Sequence, residues 1–377
     1  MKIAYVYDAV YPWETGGVQK RVWEFARRLA SDHDVHWYGL AYWDGPRRMS
    51  RDGVTFHGVM EPTELYVDGR RSIREALEFS ARLFGPLLGE DFDIIDCQEF
   101  PYFPVFPSEV STWFDDATLL MTWHEVWGSY WREYLGWKGV LGQAVERACA
   151  AVPDRHVAVS GRTRRDVVEF SGADPVVVPN GISTSEIEDA DPADRSLDVL
   201  FVGRFIEQKN PALVVEAVAE LEAAYPDVDC LLVGDGPETG RVEEAIRDDG
   251  LESRVTVSDP LEAYEDVLGL MKSAEVFVLP SRREGFGITV LEALACGTPV
   301  VTLDHPRNAA TELVTDGETG SLCDENPAAL ARAIDRARGL RSADCRAAAA
   351  DYDWDRLAED MLDVYTAALE TERVPAE

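Results

Sequence analysis

Two doubly wound α/β domains are the fold that this sequence predicts. Strand-length apolar runs alternate with longer runs of helical apolar spacing along the whole chain. The alternation restarts after an acidic, turn-rich stretch near the middle, and 377 residues exceed one hydrophobic core, since a domain takes about 150. Strands that alternate with helices imply parallel sheets covered on both faces.

The first half opens with a buried strand, KIAYVYDAV from Lys2, then the loop YPWETGG and the helix VQKRVWEFARRLA, whose Val18, Val22, Phe25, Ala26 and Leu29 share one face. VHWYGLAY from Val35 is the next strand, and a turn-rich stretch follows it. A helix is predicted over SIREALEFSARLFGPLL from Ser72, a buried strand over FDIIDCQ from Phe92, an aromatic loop over EFPYFPVFP from Glu99 and a strand over ATLLMTWHE from Ala117. Trp123, Trp127 and Trp131 recur every four residues, which on a helix makes one packed face. A helix near VLGQAVERACAAV, the strand HVAVS and the helix GRTRRDVVEFSG complete this half.

VVVPNGI, the acidic EIEDADPADRS and the strand LDVLFVG place a hinge between Val176 and Ser196. Beyond it, four helix-strand pairs follow: NPALVVEAVAELEAAY with VDCLLVG, ETGRVEEAIRDDG with RVTVSD, YEDVLGLMKSA with EVFVLPS, and the helix of REGFGITVLEALACG with TPVVTLD. The helix AALARAIDRARGL closes the series. The predicted division is 1–178, 179–357 and a C-terminal helix in 358–377. Ligands are expected at the carboxyl ends of the strands and in the cleft between the domains.

A formal net charge of −34 excludes nucleic acid as a partner, because gripping a phosphate backbone takes clustered Lys and Arg. Only Lys2, Lys20, Lys138, Lys209 and Lys272 are lysines. So acidic and lysine-poor a surface suits concentrated salt, where the screening length falls to about 3 Å near 1 M, and a halophilic protein is expected. Six scattered cysteines with no CxxC signal neither zinc nor a disulfide framework and read as core thiols. MKIAYVYDAV has a strand pattern and not that of a cleavable leader, and no run reaches membrane-span length, so a cytoplasmic protein is expected.

The loops carry the chemistry. Glu292 lies in the apolar helix ITVLEALA, where a carboxylate costs several kcal/mol unless paired or hydrogen-bonded. A ribose diol would satisfy it, as would a salt bridge to a neighbouring arginine. Glu284 precedes it by eight residues, about 12 Å if all are helical. Between them Gly285, Phe286 and Gly287 leave backbone N–H groups free at a helix start, where an anion is favoured. In FVGRFIEQKN, Gly203 ends a strand and is followed by Arg204 and Lys209, two cations able to grip a diphosphate or to bridge to Glu207 and Asp235. Gly16 and Gly17 follow the first strand without GxGxxG spacing, which disfavours an NAD oxidoreductase, and Gly234 sits in the strand-end turn GDGPE. His124 ends a first-half strand.

EGFGITVLE, with its two glutamates separated by seven residues, resembles the motif of retaining glycosyltransferases of the GT-B fold, and most resembles that of glycosyltransferase family four. GGVQKRVWEFARRLA, TWHE, AVSGRTRRDVV, VVVPNGI, FVGRFIEQKNPALVVEAV, LLVGDGPE and DYDWDRLAEDMLDVY extend the resemblance, in the family's order, over nearly the full chain. It implies transfer of a sugar from a nucleoside diphosphate sugar to an acceptor hydroxyl with retention, without metal or further cofactor. It also implies a first domain for the acceptor, a second for the donor, and a C-terminal helix crossing back to the first. Arg204 and Lys209 would neutralise the leaving diphosphate, Glu284 hold the donor sugar, the amides of Gly285, Phe286 and Gly287 meet phosphates and sugar, and Glu292 meet the ribose. His124 would touch the donor sugar, and the loop of Gly16 and Gly17 would approach diphosphate and acceptor. The acceptor is a glycan, a lipid-linked sugar or a small molecule. The basic run 70–84, with Arg70, Arg71, Arg74 and Arg82, adds either a peripheral contact with the inner face of a membrane or a solvated helix face. A sugar-nucleotide epimerase and a catalytically silent nucleotide-binding subunit are the rival readings. The chain departs from the family's glycine turn at Ser258, Asp259 and Pro260, which leaves the base open.

Overall fold

The computed structural model describes residues 1–63, 65–67, 70–222 and 224–372. The chain divides into two compact units, Met1–Asn180 with Trp354–Glu377, and Gly181–Asp353. Residues 373–377, the tail of the predicted C-terminal segment, lie outside the described residues.

In the first unit the order is β1 (Lys2–Val6), α1 (Gly17–Leu29), β2 (Asp34–Gly39), β3 (Arg48–Arg51), β4 (Val54–Gly58), β5 (Tyr66–Val67), β6 (Arg70–Arg71), α2 (Ile73–Leu87), β7 (Ile94–Gln98) and α3 (Val105–Asp115). There follow β8 (Thr118–Trp123), α4 (Tyr130–Leu135), α5 (Gly139–Ala150), β9 (Arg155–Ala158), α6 (Gly161–Ser171) and β10 (Val176–Val177). The main sheet runs β10-β9-β8-β7-β1-β2-β4-β3, with every neighbouring pair parallel except β3 on β4. Every residue of the central β7 and β8 is buried, as a sheet covered on both faces requires.

Three expectations for this half change. The aromatic loop becomes α3 from Val105, because Pro104 and Pro107 fall at the start of the helix, where a missing N–H costs nothing. The three tryptophans share no helix, since Trp123 ends β8 while Trp131 lies on α4. Trp127 and Trp131 gather instead around the buried Glu146, whose carboxylate accepts from Tyr102 Oη (3.1 Å), Trp127 N (2.7 Å), Gly128 N (2.9 Å) and Trp131 Nε1 (3.1 Å). The basic island also shrinks: the Arg71 side chain is buried against Asp8, and Arg82 pairs with Glu78 at 2.8 Å. The Arg70 side chain lies outside the described residues. Helix α2 exposes Ile73, Leu77, Phe84 and Leu88 along one side.

The second unit runs α7 (Thr184–Asp189), β11 (Leu197–Val202), α8 (Pro211–Glu222), β12 (Cys230–Val233), α9 (Thr239–Asp248), β13 (Val255–Ser258), α10 (Tyr264–Ser273), β14 (Ala274–Leu279), α11 (Ile288–Cys296), β15 (Val300–Leu303), β16 (Gly320–Cys323), α12 (Pro327–Ala337) and α13 (Ser342–Ala349). Its sheet is fully parallel in the order β13-β12-β11-β14-β15-β16. The last helix, α14 (Trp354–Glu372), belongs to the first unit, where Trp354 packs edge-on against Phe25 of α1 with ring centroids 5.4 Å apart. All six cysteines are buried free thiols.

Candidate functional site

In the second unit the predicted residues gather at the carboxyl ends of β11 and β14, adjacent strands at the centre of the sheet. The Lys209 ammonium pairs with Glu284 Oε1, which also accepts from Ser281 Oγ at 2.8 Å. Neither the Glu207 nor the Asp235 bridge forms to Lys209. Lys209 is held by its own turn, where its N–H donates to Ile206 O at 3.0 Å, and Asn210 takes a left-handed conformation (φ 52°) that breaks the chain before Pro211 opens α8. Arg204 is exposed, and its guanidinium makes no hydrogen bond or ion pair with the described residues. A cation with no protein partner at a strand end is open to an anion.

Glu284 is not on the helix. It lies in an extended bridge with Asn308, donating to Arg307 O (3.1 Å) and accepting from Ala309 N (2.9 Å). Only Ile288 onward is helical, so the 12 Å helical span to Glu292 does not apply. Gly287 precedes the helix at φ 99°, a conformation that favours glycine, and a Cβ there would lie 2.8 Å from that of Ala310. No side chain caps α11; the Val290 and Leu291 N–H groups turn to Gly287 O, which leaves those of Ile288 and Thr289 for a ligand. Phe286 is buried near Tyr352, with ring centroids 6.1 Å apart.

Glu292 is 4 % exposed and accepts from Tyr264 Oη at 2.6 Å. Burial, followed by the Glu292 carboxylate, raises the Tyr264 pKa, so the phenol keeps its proton and can donate it. Tyr264 and Ser281 are the two residues that the sequence reading missed. Ser281 ends the same strand segment three positions before Glu284, a signal within reach, whereas Tyr264 lies 28 positions from Glu292 with nothing local to announce it.

Gly203 and Gly234 bring two loops together. A Cβ on Gly234 would lie 2.0 Å from the Gly203 carbonyl oxygen, whereas one on Gly203 would meet nothing nearer than 3.6 Å. The backbone then zips shut, with Phe205 N donating to Asp235 O at 2.8 Å and Glu238 N to Phe205 O at 2.9 Å. Gly234 thus has a packing reason of its own, and it fixes the loop that carries Arg204.

In the first unit Gly16 and Gly17 are exposed at the start of α1, which has no side-chain cap. His124 follows β8. Its Nε2 lies 2.8 Å from Gln98 Oε1, and its backbone N–H donates to the buried Glu99 at 3.0 Å. Burial, with a smaller push from the Arg21 charge, lowers its pKa to about 3, so the ring is neutral at physiological pH. Among the described residues no group of three or more His, Cys, Asp or Glu is placed to hold a metal ion, and no helix is long and apolar enough to cross a membrane.

The model of Glycosyltransferase Family 4 matches residues 15–186, and that of glycosyl transferases group 1 matches residues 183–363. A D-inositol 3-phosphate glycosyltransferase from Acidothermus cellulolyticus is 34% identical over 264 residues, 63% of this chain and 58% of that protein. The chain therefore spans a little over half of that relative. An alpha-maltose-1-phosphate synthase from Mycolicibacterium smegmatis is 32% identical over 269 residues, 62% of this chain and 68% of its own length. In backbone shape, a sucrose-phosphate synthase from Thermosynechococcus elongatus matches with a TM-score of 0.81 over 98% of this chain and 99% of that one, at 21% identity. The two parallel-sheet units have the GT-B fold, and the chain belongs to glycosyltransferase family four, the group 1 glycosyl transferases.

Proposed function

We propose that the protein transfers a sugar from a nucleoside diphosphate sugar to an acceptor hydroxyl with retention of anomeric configuration. One observation carries this reading: the Lys209 ammonium and the Glu284 carboxylate meet at the ends of adjacent strands, in the same unit as the unpartnered Arg204. Arg204 and Lys209 stabilise the charge that develops on the departing diphosphate, the part a divalent metal would otherwise play. Lys209 exchanges one Glu284 oxygen for phosphate oxygens, and Glu284 is released to the sugar hydroxyls. The open amides at the start of α11 take phosphate or sugar oxygens. Glu292, held by Tyr264, accepts from the ribose. His124 meets the donor sugar and the Gly16 and Gly17 loop the diphosphate and acceptor, with the acceptor on the first unit. The departing phosphate takes the acceptor proton on the same face of the sugar.

The acceptor is a carbohydrate, a small polyol or a lipid-linked sugar. Exposed Ile73, Leu77, Phe84 and Leu88 with Arg74 support a contact of α2 with the inner face of a membrane, for a cytoplasmic protein suited to high salt. Liposome flotation reads that contact, and no association at low or high salt removes it.

A thermal-shift panel of nucleotide sugars, followed by a transfer assay with the hit, tests the main reading. Stabilisation by at least one nucleoside diphosphate sugar and a product with the donor's anomeric configuration are the expected outcomes. An altered nucleotide sugar formed without acceptor, or an inverted product, contradicts it.

A further inference from the structure

A chain of hydrogen bonds runs from the floor of the first unit to the His124 ring. Tyr5 of β1 and Asp96 of β7 are register partners, and Asp96 and Gln98, two apart, share a face of their strand. The buried Asp96 Oδ2 accepts from Tyr365 Oη of α14 at 2.7 Å, and Tyr365 lies 3.1 Å from Tyr5 Oη. Asp96 Oδ1 accepts twice, from Thr122 Oγ1 at 2.8 Å and from Gln98 Nε2 at 3.1 Å. With the Gln98 amide nitrogen turned to Asp96, its oxygen is the atom left for His124 Nε2 at 2.8 Å. Arg21, buried on α1, donates to Pro179 O (2.6 Å) and Asn180 Oδ1 (3.1 Å) and supplies a positive charge near Asp96.

The order of donors follows. A carboxylate oxygen that receives two hydrogen bonds accepts, whether or not the other oxygen carries a proton. In this arrangement Gln98 presents N–H to Asp96 and C=O to His124. A carbonyl oxygen cannot donate, so the neutral ring carries its proton on Nε2. His124 Nδ1 makes no hydrogen bond to the described residues and is not among the buried polar atoms left without a partner, so it faces accessible space.

We propose that Asp96 and Gln98 are positioning residues that lock His124 in the Nε2–H tautomer, leaving Nδ1 as a hydrogen-bond acceptor for a substrate hydroxyl. The group that His124 meets must bring its own proton: a sugar hydroxyl fits, whereas a carboxylate or phosphate oxygen would oppose lone pair to lone pair. The proposal rests on the reading of His124 as a substrate contact. It extends that site to Tyr365, so the last helix supports the ring through three hydrogen bonds in series.

Nitrogen-15 spectra of the full chain labelled in histidine, at neutral pH, test it without any assay of activity. The expected result is a single neutral tautomer at His124, protonated on Nε2. In Gln98→Met that preference is lost. In Asp96→Asn the amide oxygen keeps the two bonds of Oδ1 and its N–H2 faces Tyr365 Oη, so the Nε2–H tautomer is retained. Turnover falls about 10- to 100-fold in Gln98→Met, by analogy with the loss of a partner that orients a metal-ligating histidine, while affinity for the nucleoside diphosphate stays unchanged. A wild-type ring protonated on Nδ1 overturns the relay outright, even if neither variant folds. An unchanged tautomer in Gln98→Met does the same. A shifted tautomer with unchanged turnover overturns the positioning role and the His124 reading, and leaves only the order of the hydrogen bonds standing.

Discussion

Glu284 and Glu292 sit in different company. Glu284 shares a salt bridge with Lys209, which the sequence had already picked out for the same site, and a hydroxyl with Ser281, which it had not. Glu292 has a phenol where a ribose or an arginine had been weighed, and a tyrosine 28 positions away could be found only once α10 and α11 were packed together. A third carboxylate was not foreseen at all. Glu75 is 4 % exposed, 3.5 Å from Arg71, and neither of its oxygens has a hydrogen-bond partner among the described residues. Arg71 is already committed to Asp8. Burial, and then the Asp8 charge, push the Glu75 pKa upward, so the folded chain holds a proton that the unfolded chain releases above the ordinary carboxyl range. The sign is fixed by that difference: stability is full below the unfolded pKa and is lost as pH rises through the raised folded one. Glu75→Gln, which has no such proton to lose, should gain in melting temperature over wild type as the pH goes from about 5 to about 9. A constant difference across that range would refute the assignment.

At the scale of elements, the helices and strands with strong periodicity were legible and the short connections were not. The segments LDVLFVG and EVFVLPS read as strands because each is a run of β-branched and aromatic residues ending in a turn residue, and they are β11 and β14. The hairpin of β3 and β4 was hidden, because RMSR has no apolar alternation to announce its antiparallel pairing with VTFHG. β16 was hidden for a similar reason: only four residues, GSLC, pair with Val300–Leu303 at the edge of the sheet. Glycine chemistry divides in the same way. Gly203 and Gly234 looked equivalent as strand-end turns, yet only the second has a backbone oxygen where a Cβ would go. Gly234→Ala should therefore lower stability by about 1–3 kcal/mol or more through overpacking, and Gly203→Ala should stay close to wild type. Thermal melts of the two variants decide it, and equal losses would mean the loops do not meet as described.

For the whole molecule, the doubling of the sheet was visible as a restart in the pattern, and composition alone argued against a nucleic-acid partner. The return of α14 to the first unit came from resemblance, since nothing in DWDRLAEDMLDVYTAAL states where it packs; the contact of Trp354 with Phe25 and the bond from Tyr365 to Asp96 give the physical reason. The charge of −34 acts on the chain as a whole. Self-repulsion on this scale weakens when salt shortens the screening length from about 10 Å at 0.1 M to about 3 Å at 1 M. Melting temperature should rise steadily with potassium chloride over that interval. Full stability in dilute buffer with no gain on adding salt would show that the acidic surface has no such role.

The grip on a diphosphate by two cations, one unpartnered and one shared with Glu284, is the claim from which the rest follows. Titration calorimetry of the best-binding nucleoside diphosphate, and of its parent nucleoside, onto wild type and onto Arg204→Ala with Lys209→Ala measures it directly. If two charge-assisted contacts of about 1.5–3 kcal/mol each are lost, diphosphate affinity should fall at least a hundredfold while the much weaker nucleoside binding is unchanged. Equal diphosphate affinity in the wild-type and doubly substituted proteins would place the phosphates elsewhere.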